Sequence, residues 1–336
     1  MSARAVSKTA AAASERLRPS RRSRGGGRGR CSLEGLALVR SRIRAARVPE
    51  ATPVNLRLAT WNVRELGKKP RWGESIRMIA EIVRAFDFVS VVELRDDIGD
   101  LRRVLAELGP AWSAVFSDYR LDAGGNRERV GFVFDRRRVE FTGLASSAEA
   151  QRYAVDGGHH YLQSIPWWRP PFLASFRLRG DAAGGRELVV VAAHVRWGKT
   201  VRAREREVIA VGDWLARRAE EAYFRGRDVL VVGDFNLAKD TSVAFHALAE
   251  HGLVAAPGLD SEQGTNLAGG KRYDRILLRS ARESPIAFTG RSGALDFYQG
   301  EHRTLFSDRE LTKDAFTYQL SDHFPLWTEL SNTRRR

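Results

Sequence analysis

One cysteine, Cys31, stands in 336 residues, so no disulfide can form within the chain and the fold must rest on its core alone. Long apolar runs are missing as well. No stretch approaches the roughly 18 residues that a membrane-crossing helix needs. Near the start, the apolar stretch Leu36–Val39 is broken by Arg40, Arg42 and Arg44, which is too short for the apolar region of a signal peptide. These absences lead us to expect no membrane anchor and to favour a cytoplasmic location.

Acidic residues are scarce in one region. Residues 1–50 carry 13 Lys/Arg against 3 Asp/Glu, a net +10, and Arg334-Arg335-Arg336 adds +3. Of the formal +15, only +2 is left for residues 51–333. The basic character therefore belongs mostly to the two ends, where it raises salt-dependent affinity for polyanions without describing a pocket. Ser20–Arg30 is an Arg/Gly-rich stretch with almost nothing apolar to bury. An Arg-rich, acid-poor leader of this kind resembles an organelle transit peptide; a disordered tail or a mis-assigned start codon is the plainer reading. The expected organisation is a basic, unfolded tail over 1–50, one catalytic domain over 51–330 with order beginning near Val54, and a basic tail over 331–336.

What is present is 43% hydrophobic residues, ample for a core. Strand and helix patterns alternate. Leu56–Trp61 and Phe88–Glu93 read as strands around a helix whose face is Ile76, Ile79, Ala80, Val83 and Phe86, and a second helix covers Asp97–Leu108. Strands at Ser113–Tyr119, Val130–Phe134, Arg138–Leu144 and Phe172–Leu178 follow at hairpin-like spacing, with Gly124-Gly125-Asn126 as a turn. Then come strand Leu188–His194, helix Val201–Phe224, strand Val229–Val232, helix Val243–His251 and strands near Arg275–Leu278 and Pro325–Glu329. This order suggests two packed sheets covered by helices.

The strands end in unusual company. Apolar runs Asn55–Thr60, Phe88–Val92, Leu188–Ala193 and Val229–Gly233 are followed by Asn62, Glu93, His194 and Asp234-Phe235-Asn236. Tyr273-Asp274 and Ser321-Asp322-His323 are of the same kind. Charged groups are rarely buried without a partner or a metal, so one shared polar site at a common rim is the economical reading. Carboxylate and amide oxygens suit Mg²⁺, with Mn²⁺ or Ca²⁺ able to substitute or assist, better than zinc. Two histidines supply proton transfer near neutral pH. The set points to a metal-assisted phosphodiesterase.

Taken in order, Thr60-Trp61-Asn62, Glu93, Gly233-Asp234-Phe235-Asn236, Tyr273-Asp274-Arg275 and Ser321-Asp322-His323 resemble the endonuclease/exonuclease/phosphatase superfamily from about residue 54 to 330. Val92–Asp96, Asn126–Phe134, Arg169-Pro170-Pro171-Phe172 and Thr265-Asn266 ahead of Tyr273–Ile276 are similar to its deoxyribonuclease I branch. Two departures stand out: Asn126 replaces the branch's groove-stacking tyrosine, and its stabilising disulfide is absent.

The resemblance implies an α/β (α+β) fold, a four-layer α/β/β/α sandwich of two mixed sheets flanked by helices. It also implies roles. His323, oriented by Asp274, would be the general base, and His194, oriented by Glu128, the general acid or a phosphate contact. Glu93, Asp322, Asn62 and Asp234 would hold metal. Arg169, Asn236, Asn62 and Thr265 would hold the substrate phosphate. The implied activity is a Mg²⁺-dependent endonuclease cutting DNA with little sequence preference, expected as a monomer. Abasic DNA, a lipid or an inositol phosphate head group is the alternative substrate, and a catalytically dead binding module is disfavoured because every expected position is filled. Trp167-Trp168 reads equally as base-stacking or loop packing. His159-His160 reads as solvent-exposed, and His246, His251 and His302 carry no signal.

Overall fold

The structure, a computed structural model, describes residues 28–119, 127–149, 152–158, 160–163, 166–180, 185, 187–258, 263–282 and 284–333. Asn126, the turn at 124–126 and His159 lie outside the described residues, as do the side chains of Cys31 and His160.

Along the chain run α1 (Arg28–Ala45), β1 (Asn55–Leu66), α2 (Gly73–Arg84), β2 (Phe88–Leu94), α3 (Gly99–Leu108), β3 (Trp112–Phe116), β4 (Arg129–Asp135) and β5 (Val139–Ser147). A small hairpin follows, β6 (Arg152–Val155) and β7 (His160–Gln163). The second half is β8 (Phe172–Leu178), β9 (Glu187–His194), α4 (Val201–Ala219), β10 (Asp228–Asp234), α5 (Val243–Glu250), β11 (Val254–Ala255), β12 (Asp274–Arg279), β13 (Ile286–Ala294), α6 (Lys313–Gln319) and β14 (Leu326–Asn332).

Two six-stranded sheets result, ordered β13-β14-β1-β2-β4-β3 and β11-β12-β10-β9-β8-β5. Each has one parallel pair at its centre, β1 with β2 and β9 with β10, flanked by antiparallel neighbours. The two-residue side-chain period sorts the strands between layers. Leu56 and Leu58, Val190 and Ala192, and Leu230 and Val232 fill the space between the sheets with Phe88, Phe132 and Phe176. Ala59, Trp61, Val89 and Val91 face the helices on one side; Val189, Val191, Val229 and Val231 face α4 and α5 on the other. The four-layer α/β/β/α sandwich of mixed sheets is therefore the observed fold.

One expectation is corrected. The basic leader does not stay unfolded up to residue 50: α1 packs on the first outer layer. Val39 is fully buried there, Arg40 Nε reaches Glu81 Oε2 at 3.0 Å on α2, and buried Arg42 donates to the carbonyl of Phe297. The arginines hid an apolar stripe of Leu36, Val39 and Ile43 at helical spacing. At the other end, Ser331 and Asn332 belong to β14 instead of a tail. Residues 1–27 and 334–336 lie outside the described residues.

Candidate active site

The two parallel pairs point the same way, so the C-terminal ends of β1, β2, β9 and β10 come out on one edge of the sandwich, where β12 begins. Asn62 leaves β1, Glu93 leaves β2, and His194 and Asp234 sit opposite each other as the last paired residues of β9 and β10. Antiparallel β12 delivers Asp274 directly across from Asp234. Local backbone irregularity aims these groups. The register slips between Asn62 and Leu66 on β1 and between Val91 and Leu94 on β2, and Glu93 has φ of 63°. Asn236 has φ of 53°. Left-handed non-glycine residues carry strain that the surrounding structure must hold. Gly233, with φ of +131°, acts through close approach. A Cβ there would meet Ala193 O at 2.0 Å, so only glycine lets β10 bring Asp234 beside His194.

The assembled groups form two histidine–carboxylate pairs around one central carboxylate. His194 Nδ1 lies 3.0 Å from Glu128 Oε2, and His323 Nδ1 lies 2.8 Å from Asp274 Oδ2. Both rings turn Nε2 toward Asp234 Oδ2, at 4.0 and 3.9 Å respectively. Asn62 Nδ2 donates to Glu93 Oε1 at 2.9 Å and to Asp234 Oδ2 at 3.2 Å, while its Oδ1 accepts from Arg64 N. In this arrangement Asn62 holds two carboxylates apart with its amide hydrogens. Glu93 Oε2 accepts from the Glu65 backbone at 2.9 Å.

Burial sets the proton affinities. It pushes Glu93 above the ordinary carboxylate range, with Glu128 adding and His194 and the Asn62 hydrogen bond opposing. For His323, burial disfavours the imidazolium, but the charge of Asp274, its hydrogen bond, and Asp234 and Asp322 outweigh that and raise it well above the ordinary imidazole value. This edge is thus short of positive charge among its buried groups. Asp234, Asp274 and His323 bring donor atoms within 4.8 Å of one another, and Glu93 adds a carboxylate that accepts from an amide and a backbone N–H and lies 3.8 Å from His194 Nε2. Such a hard-oxygen set fits a small divalent cation.

Other expected residues take more varied places. Arg169 Nε bonds the same Glu128 Oε2 that faces His194, at 2.8 Å, so it borders the site. Asn236 Nδ2 donates to Val195 O, and its backbone N–H donates to Asp234 Oδ1. Asp322 sits at the rim with Arg64 Nε 3.9 Å away, and among the described residues no hydrogen bond ties its side chain to the inner groups. Thr265 is fully buried, and its hydroxyl accepts from Tyr273 N at 3.1 Å and Asp274 N at 3.3 Å. It positions Asp274.

The Trp167-Trp168 ambiguity splits: Trp167 is buried edge-on against Trp214, whereas Trp168 is exposed. Two supporting residues had no role assigned from the sequence. Glu207, on the buried side of α4, accepts from Trp168 N at 3.1 Å and anchors the loop carrying Arg169. Ser321 bonds Asn62 O and accepts from His323 N, joining β1 to the last motif. A glutamate among the apolar positions of α4 and the serine beside Asp322-His323 were the available signals.

Comparison with known proteins agrees with this architecture. The sequence profile of the Endonuclease/Exonuclease/phosphatase family matches residues 59–323. A protein named deoxyribonuclease from Thioalkalivibrio sp. (strain K90mix) is 30% identical over 299 residues, covering 83% of this chain and 72% of that one. Among solved structures, the human Nocturnin catalytic domain with bound sulfate superposes with a TM-score of 0.55 at 16% identity, covering 85% of this chain and 97% of that one. The D. rerio TDP2 complex with a single-strand DNA product gives 0.51 at 15% identity, covering 82% and 99%. Those two likenesses are of fold.

Proposed function

The chain belongs to the endonuclease/exonuclease/phosphatase family, and on that basis we propose that it is a Mg²⁺-dependent endonuclease hydrolysing DNA phosphodiester bonds with little sequence preference. One observation carries the reading: two imidazoles, each held at Nδ1 by its own carboxylate, present Nε2 to one common carboxylate oxygen, Asp234 Oδ2. Hydrolysis of a phosphodiester needs a proton removed from water on one side of phosphorus and a proton delivered to the leaving oxygen on the other.

His323, held by Asp274, accepts the proton from the attacking water at Nε2. His194, held by Glu128, donates from Nε2 to the departing 3′ oxygen. Asn236 and Arg169 hold the non-bridging oxygens, and a guanidinium suits that role by its paired donors. Glu93 and Asp234, spaced by Asn62, would hold the divalent ion, with Asp322 at the rim able to complete the set. Such an ion would neutralise the negative charge that builds on the phosphoryl oxygens in the transition state. The DNA substrate is supported by the deoxyribonuclease relative and by the strings shared with the deoxyribonuclease I branch. No helix among the described residues is long and apolar enough to cross a membrane.

The test is a substrate panel of supercoiled plasmid, an abasic-site oligonucleotide, RNA and sphingomyelin, each with Mg²⁺ or EDTA. Nicked circles that appear only with Mg²⁺ are expected. Release of phosphocholine from sphingomyelin with intact plasmid would overturn the DNA assignment.

A further inference from the structure

Beside the two histidines the surface carries aromatic rings that the chemistry above does not use. Trp197, three residues past His194 in the loop before α4, is 55% exposed, and Trp168 is 36% exposed. Each lies under a guanidinium. Arg204 Cζ is 4.6 Å from the Trp197 ring centre, and Arg196 Cζ is 3.8 Å from that of Trp168. Among the described residues neither arginine forms an ion pair, so both positive charges remain available to a polyanion.

Trp197 is also connected inward. Its ring meets Tyr273 at 5.5 Å and 84°, and the Tyr273 ring lies 6.0 Å from His323. Arg204 donates to the carbonyl of Trp197 from the first turn of α4, which ties the loop to the helix. The loop is therefore held, and an aromatic path leads from solvent to the proposed base. Packing does not account for a tryptophan more than half in water, although a lone exposed ring would need no explanation. A flat ring beside unpaired arginines at the mouth of a phosphodiester site is the arrangement with which proteins stack unpaired bases and follow a backbone.

We propose that Trp197, backed by Tyr273 and Arg204, is the stacking platform for an unpaired nucleobase next to the scissile phosphate. This rests on the nuclease reading and narrows it. The preferred DNA substrate presents an unstacked base at the cut, as single strands and locally opened duplexes do, and the platform discriminates by the presence of a base and not by its identity.

The experiment compares the wild type with Trp197→Ala and Trp197→Phe on two chains of equal length, oligothymidylate and a tetrahydrofuran chain with the same phosphodiesters but no bases. The wild type should prefer the base-bearing chain in kcat/KM. Trp197→Ala should lose about tenfold of that preference, the scale on which loss of one base–aromatic stack is felt, mostly through KM. Trp197→Phe should restore most of it. Equal losses on both chains would reduce Trp197 to a structural part of the loop and overturn the proposal.

Binding in EDTA separates this idea from the nuclease reading. Oligothymidylate should quench tryptophan emission in the wild type, and Trp197→Phe should lose that component. Quenching without cleavage by the Mg²⁺-loaded wild type would sink the nuclease reading while keeping the platform. No quenching by oligothymidylate, or quenching by phosphatidylserine vesicles instead, would overturn the platform.

Discussion

The same strands carry buried carboxylates at both ends, and the two ends treat them differently. At the end away from the site, Asp87 precedes β2 and meets Arg57 with contacts of 2.7 and 3.2 Å, while Arg138 stands 3.6 Å off. Asp228, opening β10, accepts from Ala281 N at 2.7 Å and Ser284 Oγ at 2.6 Å. Glu329 accepts from Asn55 and Thr289. Every one of these carboxylates is matched by a donor aimed at it. At the site end, Glu93, Asp234 and Asp274 face imidazoles, an amide and one another. Donors aimed at separate carboxylates let a fold tolerate buried ions one at a time; carboxylates gathered against one another and two imidazoles leave room for a cation.

The contrast can be broken at either end. Glu93→Gln and His323→Ala should each lower phosphodiesterase turnover by about a thousandfold. The melting temperature of Glu93→Gln should stay near wild type, because burial already disfavours the charged form of that carboxyl. Near-normal turnover of Glu93→Gln at saturating Mg²⁺ would remove it as a principal ligand. Asp87→Ala should do the reverse. It strands Arg57 and Arg138 beside the core and should cost about 3 kcal/mol in urea unfolding, with turnover per folded molecule unchanged.

A finer comparison lies within the site. If His194 donates the proton, His194→Ala should lose about a hundredfold on plasmid DNA. On a p-nitrophenyl phosphodiester, whose leaving group departs unprotonated, the loss should shrink to a few-fold, whereas His323→Ala should be crippled on both. Equal loss on the two substrates would make His194 a phosphate holder.

Proton linkage gives a smaller effect. His323 is raised above its unfolded value. Its contribution to stability is therefore fully present below about pH 6.5 and is lost as pH rises through the folded value. The metal-free protein should melt progressively lower above about pH 6.5, and His323→Ala should flatten that slope in a calorimetric series. Smallest is Val39→Ala on α1, which removes two buried methyl groups. It should destabilise by about 1.6 kcal/mol without touching the chemistry; no change in the urea midpoint would return α1 to the status of a loose leader.

Much of this was legible because the strongest local signals coincide with the strand ends. An apolar run that ends in an amide, a carboxylate or an imidazole is rare, and four of them, with Tyr273-Asp274 and Ser321-Asp322-His323 following in order, left little freedom for the edge on which they meet. Less regular parts were not legible. β13, reading IAFTGRSGA, has five small residues (Ala287, Gly290, Ser292, Gly293 and Ala294) and no clear alternation; it becomes a strand by pairing with β14, across a register slip between Phe288 and Ser292. Helix α6 is seven residues long and depends on its Thr312 cap and on buried Phe316. For α1, arginine content outweighed a sparse apolar stripe, because guanidinium groups can reach carbonyls and carboxylates while their stems lie on the core.

The sequence by itself determined the residue types, their order and the two-residue period that sends alternate side chains to the core or the helices, since these follow from local geometry. It also determined that no disulfide braces the chain. Tertiary structure alone decided that both histidines turn Nε2 toward Asp234, that Asn62 bridges Glu93 and Asp234, that Thr265 is buried behind Asp274, and that Trp197 faces water. Those outcomes depend on the register between strands distant in the chain and on the close approach that Gly233 permits, which no local pattern encodes.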